Sequence, residues 1–351
     1  MPVFDGHNDV LLRLHLRGGD GAARSFLEGG GGGHLDLPRA REGGFAGGMF
    51  AIFIPPEGDD GAAANTMMRS ASYDVPLPPP LELAHAGREA LAMIALLARI
   101  EHESQRQVHL CRDVAEIREC MERGVLAVVL HLEGAEAIDP EFAMLEQLHA
   151  AGLRSLGVVW SRPNAFGHGV PFRFPSSPDV GPGLTELGKQ LVRECNRRRI
   201  MVDLSHVTER GFWDAAAITS APLVATHSNA HAVCPHSRNL TDRQLAAIRE
   251  SGGMVGVNFA VTFLRADGRL DTDTPIEQVL RHFDHLIEHL GEDGVGFGTD
   301  LDGATIPIAI GDIAGLPRVI EAMRVRGYGE ALIEKLCWRN WLGVLERTWG
   351  R

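Results

Sequence analysis

Eight short apolar runs, spread along almost the whole chain, constrain its fold more than any other feature of the sequence. Glycine or proline bounds most of them, and runs of this length and setting predict buried β-strands. The predicted strands are residues 3–9, 47–54, 125–131, 153–160, 200–205, 223–226, 254–259 and 295–299.

Segments with helical periodicity separate most of these strands. The predicted helices are residues 81–103, 184–199, 241–251 and 274–290, with Thr185 as the N-cap of the second. In the first helix, one stripe is expected to face the core, and it comprises Leu83, Leu91, Ile94, Ala95 and Ala98.

Strand–helix alternation repeated about eight times predicts an α/β fold, a (β/α)8 TIM barrel, as a single domain over residues 1–351. An open doubly wound sheet is the alternative. It is disfavoured because no GxGxxG motif follows the first strand and because candidate functional residues follow nearly every strand.

Three irregular stretches interrupt the alternation. Residues 18–34 are predicted to be too flexible for an element, and the loops 55–80 and 163–182 are expected near an active-site mouth.

Composition narrows the class of protein. The chain has 351 residues, of which 44% are hydrophobic, and its net charge of −12 argues against a nucleic-acid partner. No apolar run approaches the roughly 20 residues that span a bilayer, so no membrane partner is expected. The five cysteines show no CxxC spacing, and no signal peptide is recognisable, so we expect a cytoplasmic location.

Six polar residues lie in or directly after the predicted strands. They are His7, Asp9, Glu133, His206, His227 and Asp300. The carboxyl ends of all strands of a TIM barrel meet at one face, which is where active sites of this fold assemble. Histidine and carboxylate side chains at that face predict a metal site.

Each of these residues suits a particular part in such a site. His7 and Asp9 lie on the same side of an extended strand, about 7 Å apart at their Cα atoms, and can converge on one cation. A carboxylate at Glu133 can bridge two cations, whereas His131 on the same strand face is expected to be a packed or outer residue. Asp300 is the candidate proton carrier, because it comes first after its strand.

The motifs around these residues resemble those of the membrane dipeptidase (renal dipeptidase) family, peptidase M19 of the amidohydrolase superfamily. They occur in family order and span nearly the whole chain. The matching stretches are FDGHND at residues 4–9, LEG at 132–134, VDLSH at 202–206, THS at 226–228, SRN at 237–239 and GTDLDG at 298–303.

The resemblance implies a (β/α)8 barrel that holds two zinc ions. It implies that His7 and Asp9 bind one Zn2+, that His206 and His227 bind the other, and that Glu133 bridges them. A hydroxide between the metals would then attack the peptide carbonyl, with Asp300 as proton acceptor and later donor to the leaving amine. Arg238 matches the family arginine that receives the terminal carboxylate of the substrate.

The chain departs from the family at one position. Renal members carry a histidine after the fourth strand that helps to hold the substrate's carbonyl oxygen, and Trp160 occupies that position here. We hypothesise that His168, in the following glycine-flanked loop, supplies a substitute.

The resemblance therefore implies a zinc dipeptidase that acts on a small dipeptide, and it suggests tolerance of a D-amino acid at the C-terminal position. Hydrolysis of N-acyl amino acids or of another small amide with a carboxylate is the alternative, because fold and metals do not determine the substrate. A non-catalytic barrel is a third interpretation. It is disfavoured because such a protein would be expected to lose metal ligands, and all five are present in this sequence. The family resemblance also suggests a homodimer.

Overall fold

Eight parallel strands close into a barrel in this chain. The computed structural model describes residues 1–19, 21–56, 58 and 61–350. Residues 20, 57, 59, 60 and 351 lie outside the described residues. Residue 20 falls in the predicted irregular stretch 18–34, residues 57, 59 and 60 fall in the predicted loop 55–80, and all five fall in the predicted domain. The described strands are β1 Val3–Asn8, β2 Phe45–Phe53, β3 Tyr73–Asp74, β4 Val108–Leu110, β5 Leu126–Glu133, β6 Leu153–Gly157, β7 Arg173–Phe174, β8 Met201–Asp203, β9 Val224–Ala225, β10 Met254–Val257 and β11 Val295–Phe297.

The ring runs β1, β2, β5, β6, β8, β9, β10, β11 and back to β1, with every neighbouring pair parallel. The predicted TIM barrel and all eight predicted strands are confirmed, although several strands end a few residues earlier than predicted. Strand β4 pairs with the beginning of β5, and β3 pairs with β7 in a separate two-stranded sheet. These three strands are only two or three residues long, which is too short for a periodicity signal.

Helices follow most strands and surround the barrel. They are α1 Val10–Arg17, α2 Gly21–Glu28, α3 Leu37–Glu42, α4 Ala62–Met67, α5 Leu83–Glu103, α6 Val114–Arg123, α7 Ala143–Ala151, α8 Glu186–Arg198, α9 Glu209–Ala216, α10 Asp242–Glu250, α11 Val261–Leu264, α12 Ile276–Leu290, α13 Leu316–Val325, α14 Glu330–Glu334 and α15 Asn340–Trp349. The four predicted helices correspond to α5, α8, α10 and α12. Among the described helices, none has the length and apolar character needed to cross a membrane.

Two expectations about the helices were wrong. Residues 21–28, predicted to be irregular, form α2, which buries Ala22, Ala23 and Phe26. The glycine run after this helix is irregular, with positive φ at Gly29 and Gly30, and Gly18 and Gly19 before the helix also have positive φ. The neighbouring glycines concealed a short amphipathic segment that packs on the barrel.

The second error concerns the face of α5. Of the predicted stripe, Leu83, Leu91, Ala95 and Ala98 are exposed, and Ile94 is only partly buried. The buried face instead comprises Ala86, Gly87, Ala90, Met93, Leu96, Leu97 and Ile100. This face has the same helical period, but small residues at three of its positions let the helix approach the barrel closely.

The interior of the barrel below the candidate site is filled from the C-terminal helix. Trp341 of α15 is fully buried, and its indole Nε1 donates to the carbonyl oxygen of Phe297 at 2.8 Å. A Cβ atom at Gly6 or Gly296 would lie 2.4 Å or 2.8 Å from this ring, so both positions require glycine. The lumen is therefore packed around Trp341, and the cavity described below opens at the opposite end of the barrel.

Candidate active site

The predicted polar residues meet at the carboxyl ends of the barrel strands. His7 lies near the end of β1, Glu133 is the last residue of β5, and His206, His227 and Asp300 follow β8, β9 and β11. His206 and Asp300 have φ values of 66° and 59°, a left-handed conformation that is uncommon outside glycine. Such backbone strain persists only where the surroundings hold it, and it is concentrated at functional sites.

Three histidines surround the carboxylate of Glu133. His206 Nε2 and His227 Nε2 lie 3.1 Å and 3.4 Å from Glu133 Oε1. His7 Nε2 lies 3.6 Å from the other oxygen, Oε2. The two oxygens of Glu133 therefore face two different sets of ligands.

A second group of ligand atoms adjoins the first. His7 Nε2 lies 3.2 Å from Asp9 Oδ2, although Asp9 is no longer in extended backbone and instead precedes α1. His7, Asp9 and Asp300 each offer one ligand atom within 4.8 Å of the others, as do His7, Glu133 and His227. Asp300 therefore belongs to the cluster through its side chain.

Hydrogen bonds to the outer ring nitrogens orient two of the histidines. Ser161 Oγ lies 2.9 Å from His206 Nδ1, and Thr226 Oγ1 lies 2.8 Å from His227 Nδ1. The Thr226 hydroxyl donates its single proton to Asp203 Oδ2 at 2.6 Å, so it must accept from His227 Nδ1. Burial lowers the pKa of both histidines well below its usual value, which keeps them neutral. His227 Nε2 therefore presents a bare lone pair to the cluster.

Glu133, Asp300 and His7 of the cluster have shifted pKa values. Burial raises the pKa of Glu133 well above its usual value and also raises the pKa of Asp300. Burial disfavours the charged form of His7, but the carboxylates of Glu133 and Asp9 outweigh this and raise its pKa to about 10. A buried cluster of this kind is stabilised by positive charge.

The donor set fits divalent zinc. Within the described residues, His7 Nδ1 and Asp9 Oδ1 are buried without a hydrogen-bond partner, and His206 Nε2 and His227 Nε2 face each other at 3.0 Å. Two neutral imidazole nitrogens at that separation, both close to one carboxylate oxygen, are arranged as ligands to a shared cation. Imidazole and carboxylate donors are typical zinc ligands.

The cluster lies at the base of a cavity of about 990 Å3. Five predicted residues line it, namely Asp9, Glu133, Trp160, His206 and Asp300. The predicted loops at residues 55–80 and 163–182 both contribute to the wall, as expected, and the pairing of β3 with β7 joins them.

Arg238 and Trp160 occupy different depths of the site. The Arg238 guanidinium is buried 5.7 Å from the ring centroid of Phe263, which lines the cavity. Its Nη1 donates to Ser228 Oγ and its Nη2 to the carbonyl oxygen of His227, whereas Nε has no partner among the described residues. Burial lowers the pKa of Arg238 to about 10, so it is charged at neutral pH. Trp160 is half-buried in the wall, with its ring centroid 5.9 Å from that of His206.

The structure does not bring His168 to this site. Its side chain is half-buried in the loop after β6, and it is not among the residues that line the cavity. The adjacent Gly169 forms a bridge with Val207, and this contact holds the loop in place. The hypothesis that His168 replaces the family histidine therefore has no geometric support.

Two residues that bind side chains of the site were not singled out from the sequence. Asn258 Nδ2 donates to Asp300 Oδ2 at 2.8 Å, and Asp203 accepts from the backbone and hydroxyl of Thr226. Asn258 directly follows β10, so the strand-end pattern could have identified it. Asp302, two residues after Asp300, instead pairs with Arg13 at 2.9 Å. His131 packs edge-on against His7, which agrees with the packed or outer role expected for it.

A TIM barrel with a buried histidine–carboxylate cluster at the carboxyl ends of its strands defines a protein of the metal-dependent amidohydrolase type. The family model for membrane dipeptidase (peptidase family M19) matches residues 1–349. The chain belongs to peptidase family M19, which confirms the resemblance found in the motifs.

Individual relatives agree with this assignment. A Klebsiella pneumoniae protein described as an uncharacterized protein in the pqqA 5′ region is 51% identical over 256 residues, covering 73% of this chain and 94% of that protein. A metallo peptidase from Rhodobacter sphaeroides, solved with a phosphinate mimic of the dipeptide L-Ala-D-Ala, shares 57% identity and a TM-score of 0.98 over 99% of both chains. The solved dipeptidase AC, a metallo peptidase of family M19, shares 56% identity and a TM-score of 0.97 over 100% of this chain and 99% of that chain.

Proposed function

We propose that this chain is a binuclear zinc dipeptidase that hydrolyses dipeptides with a free C-terminal carboxylate. The observation that carries the proposal is the arrangement around Glu133, whose two oxygens face His7 on one side and His206 with His227 on the other. A single cation would not need both oxygens and ligands on both sides. Membership in peptidase family M19, of which a solved relative is described as a metallo peptidase, supports a metal-dependent mechanism.

The ligands divide between two ions. His7 and Asp9 would hold one zinc, His206 and His227 the other, and Glu133 would give one oxygen to each. Bound zinc would supply Lewis acidity at the peptide carbonyl and lower the pKa of water at the site.

The other residues of the site handle the proton and the substrate. Asp300 accepts a proton from the attacking water and returns it to the leaving amine, and Asn258 holds one of its oxygens so that the other remains available. Arg238 binds the substrate carboxylate, because its charged guanidinium is buried and its Nε–H group has no partner among the described residues. Trp160 forms an apolar wall for a substrate side chain.

The C-terminal position is proposed to accept a D-amino acid. The Rhodobacter sphaeroides relative, 57% identical, was solved with a phosphinate mimic of L-Ala-D-Ala. The two structures share the same fold, with a TM-score of 0.98 over 99% of both chains, and this supports a similar substrate.

One set of assays tests the substrate. The zinc-loaded enzyme should hydrolyse L-Ala-L-Ala and L-Ala-D-Ala, and it should turn over N-acetyl-L-Ala-D-Ala poorly, because a dipeptidase recognises the free amine. Preference for the acetylated compound would favour an N-acyl amino acid hydrolase instead. Failure on all carboxylate-bearing amides would contradict the proposal.

Metal removal tests the cofactor. Dialysis against a chelator should abolish activity, and addition of zinc should restore it. The number of zinc ions per chain should be measured in the wild type and in Glu133→Gln. The glutamine side chain has an NH2 group in place of one carboxylate oxygen, so the binding of both ions should weaken. Activity that survives complete metal removal would overturn the mechanism.

We also propose a cytoplasmic location and a homodimeric state. All five cysteines are buried thiols, which suits the reducing cytoplasm. A homodimer is proposed from the family alone. Fractionation of cells and sedimentation of the purified protein would test these two expectations.

A further inference from the structure

A second cluster of metal-ligating side chains lies on the outer helical layer. Asp242 is the first residue of α10, and His285 and His289 are in the second half of α12. Each offers one ligand atom within 4.8 Å of the others. None of the three lines the candidate active-site cavity.

The two histidines point toward the same carboxylate oxygen. His285 Nε2 lies 2.7 Å from Asp242 Oδ1, and His289 Nε2 lies 3.9 Å from the same atom. The imidazole rings are stacked with centroids 4.3 Å apart and an interplanar angle of 26°. This arrangement follows from their i, i+4 spacing, which places both side chains on one face of the helix.

These separations suit a shared ion. A tetrahedral zinc with bonds of about 2.0–2.1 Å holds its ligand atoms roughly 3.3 Å apart, and the two observed distances lie on either side of that value. The side chains of His285, His289 and Asp242 are 18%, 31% and 49% exposed, so small rotations can equalise the distances and water can complete the coordination.

We propose that Asp242, His285 and His289 form a surface site for a divalent transition-metal ion of the Zn2+, Ni2+ or Cu2+ class. Two imidazoles select such ions over Mg2+ and Ca2+, which prefer oxygen ligands alone. The ion would join α10 to α12. Because the site exists only in the folded chain, metal binding would stabilise the fold.

The competing explanation is purely structural. A carboxylate in the first turn of α10 is favourable next to the helix dipole, and Asp242 would then form only an ion pair with His285. Under that explanation, the approach of His289 to the same oxygen is incidental. The two explanations differ in whether metal binds.

The test compares three forms of the zinc-loaded enzyme by equilibrium dialysis at micromolar free Zn2+. They are the wild type, the double variant His285→Ala/His289→Ala, and a matched control, His102→Ala/His149→Ala, which removes two histidines elsewhere. The wild type and the control should bind one more ion per chain than the double variant. Each lost imidazole should weaken binding at this site at least about tenfold, since even the outer partners of metal-binding histidines change affinity by 10- to 100-fold.

Measurements of Tm and kcat distinguish the loss of the metal site from misfolding of a variant. Added Zn2+ should raise the Tm of the wild type and of the control above that of the double variant, while kcat on a dipeptide stays equal in all three. Asp242→Asn should give an intermediate loss of affinity. Equal ion counts in the wild type and the double variant would overturn the proposal. The comparison does not depend on how many ions the active site holds, so it is separate from the test of the dipeptidase function.

Discussion

Asp300 is held in a way that a purely structural carboxylate does not require. Its backbone is left-handed, its carboxyl group is buried, and Asn258 binds only one of its oxygens. Burial raises its pKa, which makes it a better proton acceptor than an exposed aspartate. The neighbouring Asp302 is engaged by Arg13 instead.

Asp300→Asn should lower kcat by about 10^2- to 10^4-fold, because the amide preserves the size of the side chain and cannot carry the proton. The zinc content should remain that of the wild type. Asp302→Asn is the comparison, and it should lower stability more than kcat. Loss of one zinc from Asp300→Asn would make this residue a ligand, and an unchanged kcat would remove it from the mechanism.

Arg238→Lys should raise KM for dipeptides at least about tenfold, with a smaller effect on kcat, because lysine keeps the charge but loses bidentate geometry. Steady-state kinetics with L-Ala-D-Ala would measure this. A C-terminally amidated dipeptide is the control, since it lacks the carboxylate and should respond little. An equal effect on both substrates would show that Arg238 supports the fold of the site and does not bind the carboxylate.

His168→Ala should keep the full kcat/KM on the best dipeptide, because the side chain does not reach the cavity. Trp160→Phe, which keeps an aromatic side chain but is smaller and loses the N–H donor, should have the larger effect. A large drop for His168→Ala would restore the hypothesis that this histidine assists at the carbonyl oxygen.

The long loop after β6 is hydrogen-bonded to the N-cap of the next helix, α8. Thr185 caps α8 by accepting from the backbone N–H of Gly188 at 3.0 Å, and its hydroxyl donates to the carbonyl oxygen of Ala165 at 2.8 Å. One side chain therefore joins the helix to the loop that carries part of the cavity wall. The N-cap predicted for this residue is confirmed.

Thr185→Ala should lower the free energy of unfolding by about 1 kcal/mol, as for other N-cap removals. Denaturant unfolding would measure the change. Thr185→Ser retains the hydroxyl and should lose much less. A loss of the same size in both variants would assign the effect to packing of the methyl group.

His282 joins α12 by hydrogen bonds to the segment after β9 and to the end of α11. It is fully buried on α12, where its Nδ1 accepts from the backbone N–H of Ala230 and its Nε2 donates to the carbonyl oxygen of Leu264. Both bonds require the neutral ring. Burial lowers the pKa of His282 to about 4 from its usual 6.5.

Stability should therefore fall as the solution is acidified from pH 6.5 to pH 4. In that range the unfolded chain binds a proton at His282 that the folded chain does not, so the free energy of unfolding decreases with decreasing pH. The loss attributable to this residue is about 3 kcal/mol at the acid end. His282→Gln cannot titrate and should show a flatter profile between these pH values. Parallel profiles for the two proteins would contradict this account.

Much of the barrel could be predicted because a buried parallel strand must be apolar and short, and the eight runs are. The position of His7, Glu133, His206 and His227 followed from the same reasoning, since a polar residue that ends such a strand faces the mouth of the barrel. The face of α5 could not be predicted, because small and large apolar residues both repeat with helical period there. Only contact with the barrel chooses between the two faces.

The sequence by itself determined the fold class, the family and the identity of the residues that converge on Glu133, because these depend on local patterns and on their order along the chain. Only the tertiary structure decided three other features. They are the hydrogen bonds that link Asp203 through Thr226 to His227, the position of His168 outside the cavity, and the contact of Asp242 with α12. These features join residues on different elements. Their distances are set by the packing of helices and loops on the barrel, and no periodicity along the chain records that packing.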